Sequence, residues 1–441
     1  MGPEVKAIQT DAKPSASADV VVIGGGIVGV STAYTLAQRG VSVILCEKGH
    51  IAGEQSSRNW GWVRRNGRDP RELPLMMESF RAWNEFASKK LDTGFTVCGV
   101  VSIAKTDADR ARHEQFVEDA RPFQIGSRVI TSSEIREILP GYTGEGRSAL
   151  YNPTDARAEP QRTAPAVALA ARDLGAEIVQ NCAVRGVELQ GGRICGVVTE
   201  LGYIRTSQVV VAGGAWSRLF CGNLGVDLPQ MKVLSSVCRT APLSGLPETS
   251  AYFGGVAYRK RDDGGYNIAP SVGLNVPIVP DMLRLARMYL PAFMAERKSV
   301  KPRLDSRFLT ELLTPRSWDL DMPTVFEKTR VLDPKPNIAL TRSKVADLQK
   351  LFPAAGPIHI LQHWGGLIDV MPDAVPVIDT VAKIPGLTIS TGYSGHGFGI
   401  GPGAGVLTAD LATGKAPCVD PSPFRLSRFT DGTPMRLIGG F

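Results

Sequence analysis

Two different hydrophobic periodicities follow each other near the start of the chain. Residues 20–23 (VVVI) form a continuous β-branched run, which is typical of a buried strand in a parallel sheet. Residues 26–39 carry apolar side chains at helical spacing on one face, and Gly40 follows where a C-terminal helix cap belongs. A second apolar run, 41–46, ends at the acidic Glu47. The pattern predicts a strand, a helix and a second strand.

The link between the first strand and the helix is glycine-rich. In GGGIVG (24–29), Gly24, Gly26 and Gly29 have the spacing of a dinucleotide-binding loop. Gly24 allows the tight turn, Gly26 lets the backbone approach a pyrophosphate, and Gly29 permits close packing of helix on strand. The helix N-terminus supplies free N–H groups to the phosphates, and Glu47 can accept hydrogen bonds from a ribose diol. Because an acid at this position disfavours a 2′-phosphate, the dinucleotide is FAD or NAD.

A polar, turn-prone segment follows the acid. Residues 53–61 (GEQSSRNWG) offer hydroxyls, an amide and a guanidinium to a diphosphate and a flavin, so FAD is favoured, and an ordinary solvated loop is the alternative. A second glycine-rich stretch, 392–403, leads from the strand 387–390 into an apolar helix. Its positive N-terminus can face the flavin and stabilise the negative charge that appears there on reduction.

On these motifs the sequence resembles the FAD-dependent D-amino-acid-oxidase superfamily, and most closely the bacterial L-amino-acid deaminases. Residues 47–58, 206–219 (TSQVVVAGGAWSRL) and 392–403 carry the resemblance, which extends in weaker form over 18–425. It implies FAD as the cofactor. It also assigns cofactor contacts to Gly24, Gly26, Ile27, Val28, Glu47, Lys48, Gln55, Ser56, Ser57, Arg58, Asn59, Trp60, Val184, Gly213, Trp216, Gly392, Gly397, Phe398, Gly399 and Ile400.

The predicted fold class is α/β (α+β overall), with a Rossmann-like FAD-binding domain interleaved with an antiparallel-sheet substrate domain. We assign 18–92, 150–228 and 357–425 to the discontinuous FAD-binding domain. The substrate domain takes 93–149 and 229–356, which lack βαβ order, and carries a helical insertion over about 270–353. Residues 1–17 are predicted to be a flexible leader and 426–441 a C-terminal tail.

The substrate site is predicted from chemistry and from the resemblance together. A carboxylate is best held by a bidentate guanidinium, and the candidate is Arg259, on a strand 256–259 that pairs with 265–268. Tyr258 beside it, Trp364, and His396 in the glycine-rich turn are the other candidate catalytic residues, each with plain packing as the alternative. On this interpretation Arg259→Met raises KM and leaves the flavin content unchanged.

Charge and composition limit the kinds of ligand and partner that the chain can have. The formal charge is +7, and its densest basic stretch holds Arg58, Arg64, Arg65, Arg68 and Arg71 among acids, which indicates a solvated face or an anionic-ligand site rather than nucleic acid. Seven cysteines without CxxC spacing argue against a disulfide framework or a metal site. No apolar run is long enough to span a membrane. We therefore expect a soluble, cytoplasmic protein without a metal, with peripheral membrane contact and a homodimer left open.

The leading hypothesis is FAD-dependent oxidative deamination of α-amino acids, of the L-series by resemblance, to 2-oxo acids. A hydride passes from the substrate's α-carbon to the flavin, the imine hydrolyses in water, and the electrons go to O₂ or to a respiratory carrier. The alternative is oxidation of a secondary or D-amino acid, such as D-hydroxyproline or sarcosine. A flavin-carrying subunit of a heteromeric dehydrogenase is a third hypothesis.

Overall fold

The computed structural model describes residues 2–297 and 300–437. Its strands are β1 (Val20–Ile23), β2 (Val43–Cys46), β3 (Trp62–Val63), β4 (Thr96–Val97), β5 (Val100–Ala104), β6 (Arg128–Thr131), β7 (Ser148–Asn152), β8 (Ala156–Arg157), β9 (Glu177–Val179), β10 (Val184–Gln190), β11 (Arg193–Thr199), β12 (Gly202–Arg205), β13 (Gln208–Val211), β14 (Met231–Thr240), β15 (Ser250–Tyr252), β16 (Val256–Lys260), β17 (Tyr266–Pro270), β18 (Leu274–Pro277), β19 (Val300–Arg303), β20 (Ile360–Val370), β21 (Val377–Thr380) and β22 (Leu387–Thr391). Its α-helices are α1 (Ile27–Gln38), α2 (Gln55–Arg58), α3 (Leu73–Ser88), α4 (Asp107–Ala120), α5 (Ser132–Ile138), α6 (Pro160–Asp173), α7 (Ser217–Asn223), α8 (Pro280–Arg284), α9 (Ala286–Glu296), α10 (Arg307–Leu313), α11 (Val325–Lys328), α12 (Ile338–Leu351) and α13 (Gly397–Ala412).

The predicted strand–helix–strand unit starts a six-stranded sheet. Its order is β21-β22-β13-β1-β2-β9, parallel except for β21 at one edge. The apolar residues of these strands are buried on both faces, as parallel sheets require. Gly40 ends α1 with φ +71°, its N–H bonded to the carbonyl of Ala37. The mixed α/β fold class is thereby confirmed.

Three glycines of α13 allow this helix to pack closely against α1 and α3. A Cβ on Gly401 would meet Ile27 at 2.8 Å, and one on Gly405 would meet Ser31 at 2.5 Å, so α13 packs directly on α1. A Cβ on Gly403 would meet the carbonyl of Leu75 at 2.6 Å on α3. The close approach fixes the start of α13 beside the start of α1.

The second sheet is larger and predominantly antiparallel. It follows the order β19-β18-β14-β17-β16-β15-β5-β7-β6, with β20 paired to β14, and β15–β5 and β18–β19 are its parallel pairs. The predicted hairpin is present, with Arg259 opposite Asn267 and Lys260 opposite Tyr266. Because β20 belongs to this sheet, the predicted boundary at 357 is wrong, and the second sheet runs on to Val370.

The chain ends are held against the fold. The predicted flexible leader is bound over its described residues, since the N–H of Asp11 bonds the carbonyl of Ile178 at 2.8 Å and Arg205 bonds the carbonyl of Ala16. In the tail, the buried Arg428 pairs with Asp373 at 3.0 Å. Flexibility was inferred from the absence of an apolar pattern, but backbone and ionic contacts need no such pattern.

The predicted helical insertion contains α8 to α12. The apolar side chains of α8 and α9 lie on two different faces: Leu285 and Tyr289 are buried, whereas Leu283 and Leu290 are 69% and 58% exposed. This part of the insertion therefore contributes both to the core and to an apolar surface. No helix in the described ranges is both long and apolar enough to cross a bilayer.

Candidate active site

Two adjoining cavities lie between the two sheets. The first has a volume of about 470 Å³. It is lined by the starts of α1 and α13, by residues between 58 and 68, by strands of the second sheet, and by helices of the insertion. The second, of about 110 Å³, lies at the carboxyl ends of β1, β2 and β13. Gly26, Gln55, Ser56, Ala212 and Gly214 line both, so the two form one continuous cleft. The cleft extends from Glu47 after β2 to Phe293 on α9, an arrangement that suits an extended dinucleotide with a substrate beside it.

The glycine loop at the cleft has the geometry that a pyrophosphate needs. Gly24 has φ +109°, which side-chain-bearing residues rarely adopt. A Cβ on Gly29 would collide with the carbonyl oxygen of Gly24, and a Cβ on Gly26 would stand 3.1 Å from the Oγ of Ser56. The loop therefore fits FAD, because a side chain at Gly26 would fill the cradle and one at Gly29 would push α1 away from the loop and β1.

Glu47 lies in the second cavity, where the ribose was predicted. Its Oε2 accepts the N–H of Gly25 and its Oε1 that of Gly49, each at 2.7 Å. Burial raises the pKa of this carboxyl, while the charge of Lys48 and the two amides oppose the rise. A carboxylate held by two backbone amides has a fixed orientation toward a diol.

Most of the predicted cofactor residues line the cleft. In the first cavity these are Gly26, Ile27, Val28, Gln55, Ser56, Arg58, Asn59, Trp60, Gly397, Phe398 and Gly399. In the second they are Gly24, Glu47, Lys48, Val184, Gly213 and Trp216, with Gly26, Gln55 and Ser56 shared by both cavities. Their role as cofactor ligands remains a prediction that this arrangement favours.

Three predicted cofactor residues face elsewhere and are corrected. Ser57 is buried, and its backbone carbonyl accepts from Gln161. Ile400, in the first turn of α13, is fully buried in the core. Gly392 gives its N–H to Asp369 at 2.9 Å, so it shapes the turn before α13 rather than the cavity. Contiguity in sequence predicted these contacts, but a helical turn presents only part of a run to one side.

His396 does line the first cavity, immediately before α13. Its Nδ1 stands 3.5 Å from Oε1 of Glu72, and within the described chain neither atom has a hydrogen-bond partner. Burial, aided by the charges of Arg68 and Arg64, lowers the pKa of His396 well below its usual value, so the imidazole is neutral. Burial raises the pKa of Glu72 to about 7. Near neutral pH a protonated Glu72 can therefore donate to Nδ1 of His396.

Two arginines from the basic stretch stand in the same cavity. Arg68 is 4% exposed, donates from Nη2 to the carbonyl of His396 at 3.1 Å, and has a pKa lowered to about 10 by burial and by Arg64. Arg64 is half-buried and donates from Nη1 to the carbonyl of Asn66. Within the described residues that is the only hydrogen bond of its guanidinium, so Nε and Nη2 are free. This edge is the one that binds a carboxylate in a bidentate manner.

Arg259 cannot hold a substrate in this arrangement. It is fully buried, with Nη2 3.0 Å from Oε2 of Glu159, Nη1 2.5 Å from Oε1, and Nε donating to the carbonyl of Trp60. Arg259 also lowers the pKa of Glu159 against the effect of burial. All of its donating edges are used, so the predicted carboxylate contact is corrected to a structural ion pair.

Tyr258 and Trp364 are likewise packing residues. Tyr258 is 1% exposed in the core of the second sheet, against Phe253 and Tyr266. Trp364 is 1% exposed and donates from its indole to the carbonyl of Arg58 at 2.9 Å. Neither lines a cavity. Aromatic residues in strands are buried more often than they are exposed to a ligand, and here the alternative reading holds.

Sequence reasoning missed three residues of this site: Arg64, Glu72 and Asp369. Arg64 belongs to the basic stretch for which an anionic-ligand site is one interpretation, but the sequence does not distinguish it from the other arginines there. The sequence carries no signal for Glu72 or Asp369, because the partners of each come from distant segments. Glu72 lies next to His396. Asp369 accepts hydrogen bonds from the amide of Gly392 and from the side chain of Gln230.

Comparison with known proteins agrees with this geometry. The DAO family of FAD-dependent oxidoreductases matches residues 19–411. The structure is similar to that of the L-amino acid deaminase from Proteus myxofaciens in complex with anthranilate, with 32% identity, a TM-score of 0.94, and 98% and 97% of the two chains covered. It is also similar to the L-amino acid deaminase from Proteus vulgaris, with 32% identity, a TM-score of 0.91 and coverage of 96% and 100%. The sarcosine oxidase subunit beta of an Arthrobacter species is 26% identical, over 95% of this chain and 93% of its own.

The chain belongs to the DAO family of FAD-dependent oxidoreductases. It is an FAD-dependent enzyme, and the two helix N-termini and the glycine loop at the cleft are the features through which the fold accommodates that cofactor. In the described ranges no cluster of His, Cys, Asp or Glu is arranged to hold a metal ion.

Proposed function

We propose that this chain catalyses the oxidative deamination of an L-α-amino acid with a free primary amine. The observation that carries the proposal is the free Nε/Nη2 edge of Arg64 inside a cavity that joins the dinucleotide cleft. A guanidinium in such a place selects a ligand with a carboxylate. The remaining lining is mostly apolar, with Met231, Val233, Val276 and Phe293 among its side chains, and suits an apolar substrate side chain.

In this proposal the chain positions the substrate rather than attacking it. Arg64 holds the carboxylate, and the neutral His396 accepts or donates a hydrogen bond near the amine without competing charge. FAD, when bound, supplies the acceptor for the hydride from the α-carbon. The start of α13, whose Gly399 carbonyl is fixed by Ser79 at 2.7 Å and Trp83 at 2.8 Å, directs a positive helix end into the cavity.

The L-series and the primary amine are favoured by similarity to two L-amino acid deaminases at 32% identity over almost the whole chain. A second candidate, oxidation of a secondary amine, is supported by the relation to a sarcosine oxidase subunit at 26% identity. That relative is itself a subunit, which keeps a heteromeric assembly as the third candidate.

Anaerobic reduction of the purified yellow protein tests these candidates directly. Mixed with L-, D- and N-methyl amino acids in turn, the flavin absorbance is expected to bleach fastest with L-amino acids that have large apolar side chains. The matched control is the N-methyl form of the best L-amino acid. Bleaching by the N-methyl form alone would replace the proposal by the secondary-amine candidate, and the absence of bleaching by any single compound would favour a heteromeric enzyme.

We further propose that the surface of the insertion contacts an anionic membrane peripherally and that the electron acceptor is carried by that membrane. Among the described residues, nine of the seventeen exposed large hydrophobic side chains lie between 283 and 322. Exposed cations, Arg287, Lys301 and Arg303, lie in the same stretch. Apolar side chains flanked by cations are the combination that binds an anionic lipid surface. A membrane-borne acceptor then reoxidises the flavin, whereas O₂ would do so in a protein without this contact.

Co-sedimentation with vesicles checks the contact. The wild type is expected to sediment with vesicles rich in anionic lipid and much less with zwitterionic ones. Leu283→Ser combined with Leu290→Ser should lower the bound fraction several-fold, because two exposed apolar anchors are lost. Leu174→Ser combined with Leu189→Ser, which are similarly exposed but outside the insertion, is the control. Equal sedimentation of all three proteins would show that the insertion does not bind membranes.

A further inference from the structure

Residues 324–333, which include α11 and precede α12 in the insertion, lie against the second cavity. Phe326 and Arg330 line that cavity together with Glu47. The ring of Phe326 packs against Trp216 with centroids 5.7 Å apart. The backbones at Gly49 and Arg330 also lie close together, because a Cβ on Gly49 would meet the carbonyl oxygen of Arg330 at 2.5 Å. The insertion thus supplies one wall of the part of the cleft that the ribose-binding acid marks.

A reciprocal set of bonds locks this segment to the loop after β2. Arg330 donates from Nη1 to the backbone carbonyl of Lys48 at 2.8 Å, and Lys48 donates from Nζ to the carbonyls of Arg330 at 2.7 Å and Thr329 at 2.9 Å. The guanidinium of Arg330 is held in place by Glu200, which accepts from both Nη atoms. Glu200 itself lines neither cavity.

The same segment is also tied to the loop at the centre of the cleft. The N–H of Leu332 bonds Oε1 of Glu54 at 3.1 Å, and Asp333 pairs with Nη1 of Arg58 at 2.7 Å. Glu54 in turn accepts from the indole of Trp216 at 2.9 Å. Residues 324–333 therefore bridge the cleft from the ribose end to the polar segment predicted to bind the diphosphate.

We propose that residues 324–333 are a clamp that completes the FAD site and retains the adenosine half of the cofactor, with the Glu200–Arg330–Lys48 bonds as its lock. In this clamp three distant parts of the chain meet beside the cavity: the loop after β2, Glu200 and residues 324–333. FAD dissociates when these bonds open, so weakening them speeds its release. The role concerns cofactor retention and is independent of which amino donor the enzyme oxidises.

The rate of FAD release from the holoprotein tests the clamp. After dilution into FAD-free buffer, flavin fluorescence in the filtrate is followed with time for the wild type, Arg330→Gln, Glu200→Gln and Lys328→Gln. The first two variants are expected to release FAD about tenfold faster, because each removes charge-assisted hydrogen bonds from the lock. Lys328→Gln removes an equal charge from the same segment at an exposed side chain and should stay within about twofold of the wild type.

The Glu200→Gln variant distinguishes a clamp held by the Glu200–Arg330 pair from a direct contact between Arg330 and FAD. Glu200 does not line the cavity, and besides Arg330 it holds the N–H of Ala183 at 2.6 Å. Since the amide oxygen of Gln can keep the bond from Ala183, the replacement speeds release by freeing Arg330. Release at the wild-type rate in Glu200→Gln overturns the proposal even if Arg330→Gln is fast, and so does flavin that stays attached to every variant after denaturation. Should Arg330→Gln fail to fold, Glu200→Gln against Lys328→Gln gives the answer alone, with Arg330→Lys expected to restore slow release in part.

Discussion

Replacing Arg259 by methionine is expected to lower the free energy of unfolding by about 3–5 kcal/mol, rather than to weaken substrate binding. The guanidinium is fully buried and is the bidentate partner of Glu159. Methionine fills much of the volume but leaves a carboxylate in the interior with the N–H of Asp262 as its remaining partner. An uncompensated buried charge of this kind is among the most destabilising changes a core can suffer.

Urea unfolding followed by tryptophan fluorescence measures this loss. Lys260→Met is the matched control, because it removes the neighbouring cation from a partly exposed pair with Glu248 and should cost about 1 kcal/mol or less. Arg259→Met with normal stability and a raised KM would instead restore the interpretation drawn from the sequence. Glu159→Gln should also destabilise, since it leaves the guanidinium without its countercharge.

The strand that carries Arg259 was predicted correctly but the role of its side chain was not. This difference shows which features of the molecule are determined by local sequence. The strand–glycine–helix–strand unit and the pairing of the two strands of the Arg259 hairpin were predicted, because apolar periodicity and turn residues act over short distances. The start of α13 in the cleft was also predicted, since glycines followed by an apolar run mark a helix N-terminus. These elements bring together most of the residues that are predicted to contact the cofactor.

The roles of individual side chains were predicted less well, because they depend on partners that are distant in the sequence. The role of Arg259 depends on Glu159, 100 residues earlier in the chain, and that of Glu72 depends on His396 at the start of α13. Whether an arginine binds a ligand or a buried acid is decided by which partner the fold brings within reach. Periodicity contains no information on such pairs, whereas the unused edge of Arg64 is visible only once its neighbours are placed.

Arg64→Met is the substitution with the largest expected effect on catalysis. Removing the free Nε/Nη2 edge deletes a bidentate, charge-assisted contact to the substrate carboxylate, and kcat/KM is expected to fall by about 100-fold or more, chiefly through KM. Arg64→Lys should recover only part of this, because an ammonium provides a point charge without the fork. The measurement is steady-state kinetics with the best substrate of the panel, alongside flavin content from the visible spectrum.

Arg81→Met is the control for this prediction, since Arg81 is 75% exposed on α3 and pairs only with Glu78 among the described residues. It should leave kcat/KM unchanged. In Arg64→Met the flavin content is expected to stay normal, which separates loss of the carboxylate contact from loss of the cofactor. An amine without a carboxylate gives the sharpest comparison: it should be a poor substrate of the wild type and no worse in Arg64→Met. If Arg64→Met keeps its KM for amino acids, the carboxylate is bound elsewhere, and Arg68, behind it in the same cavity, becomes the residue to replace.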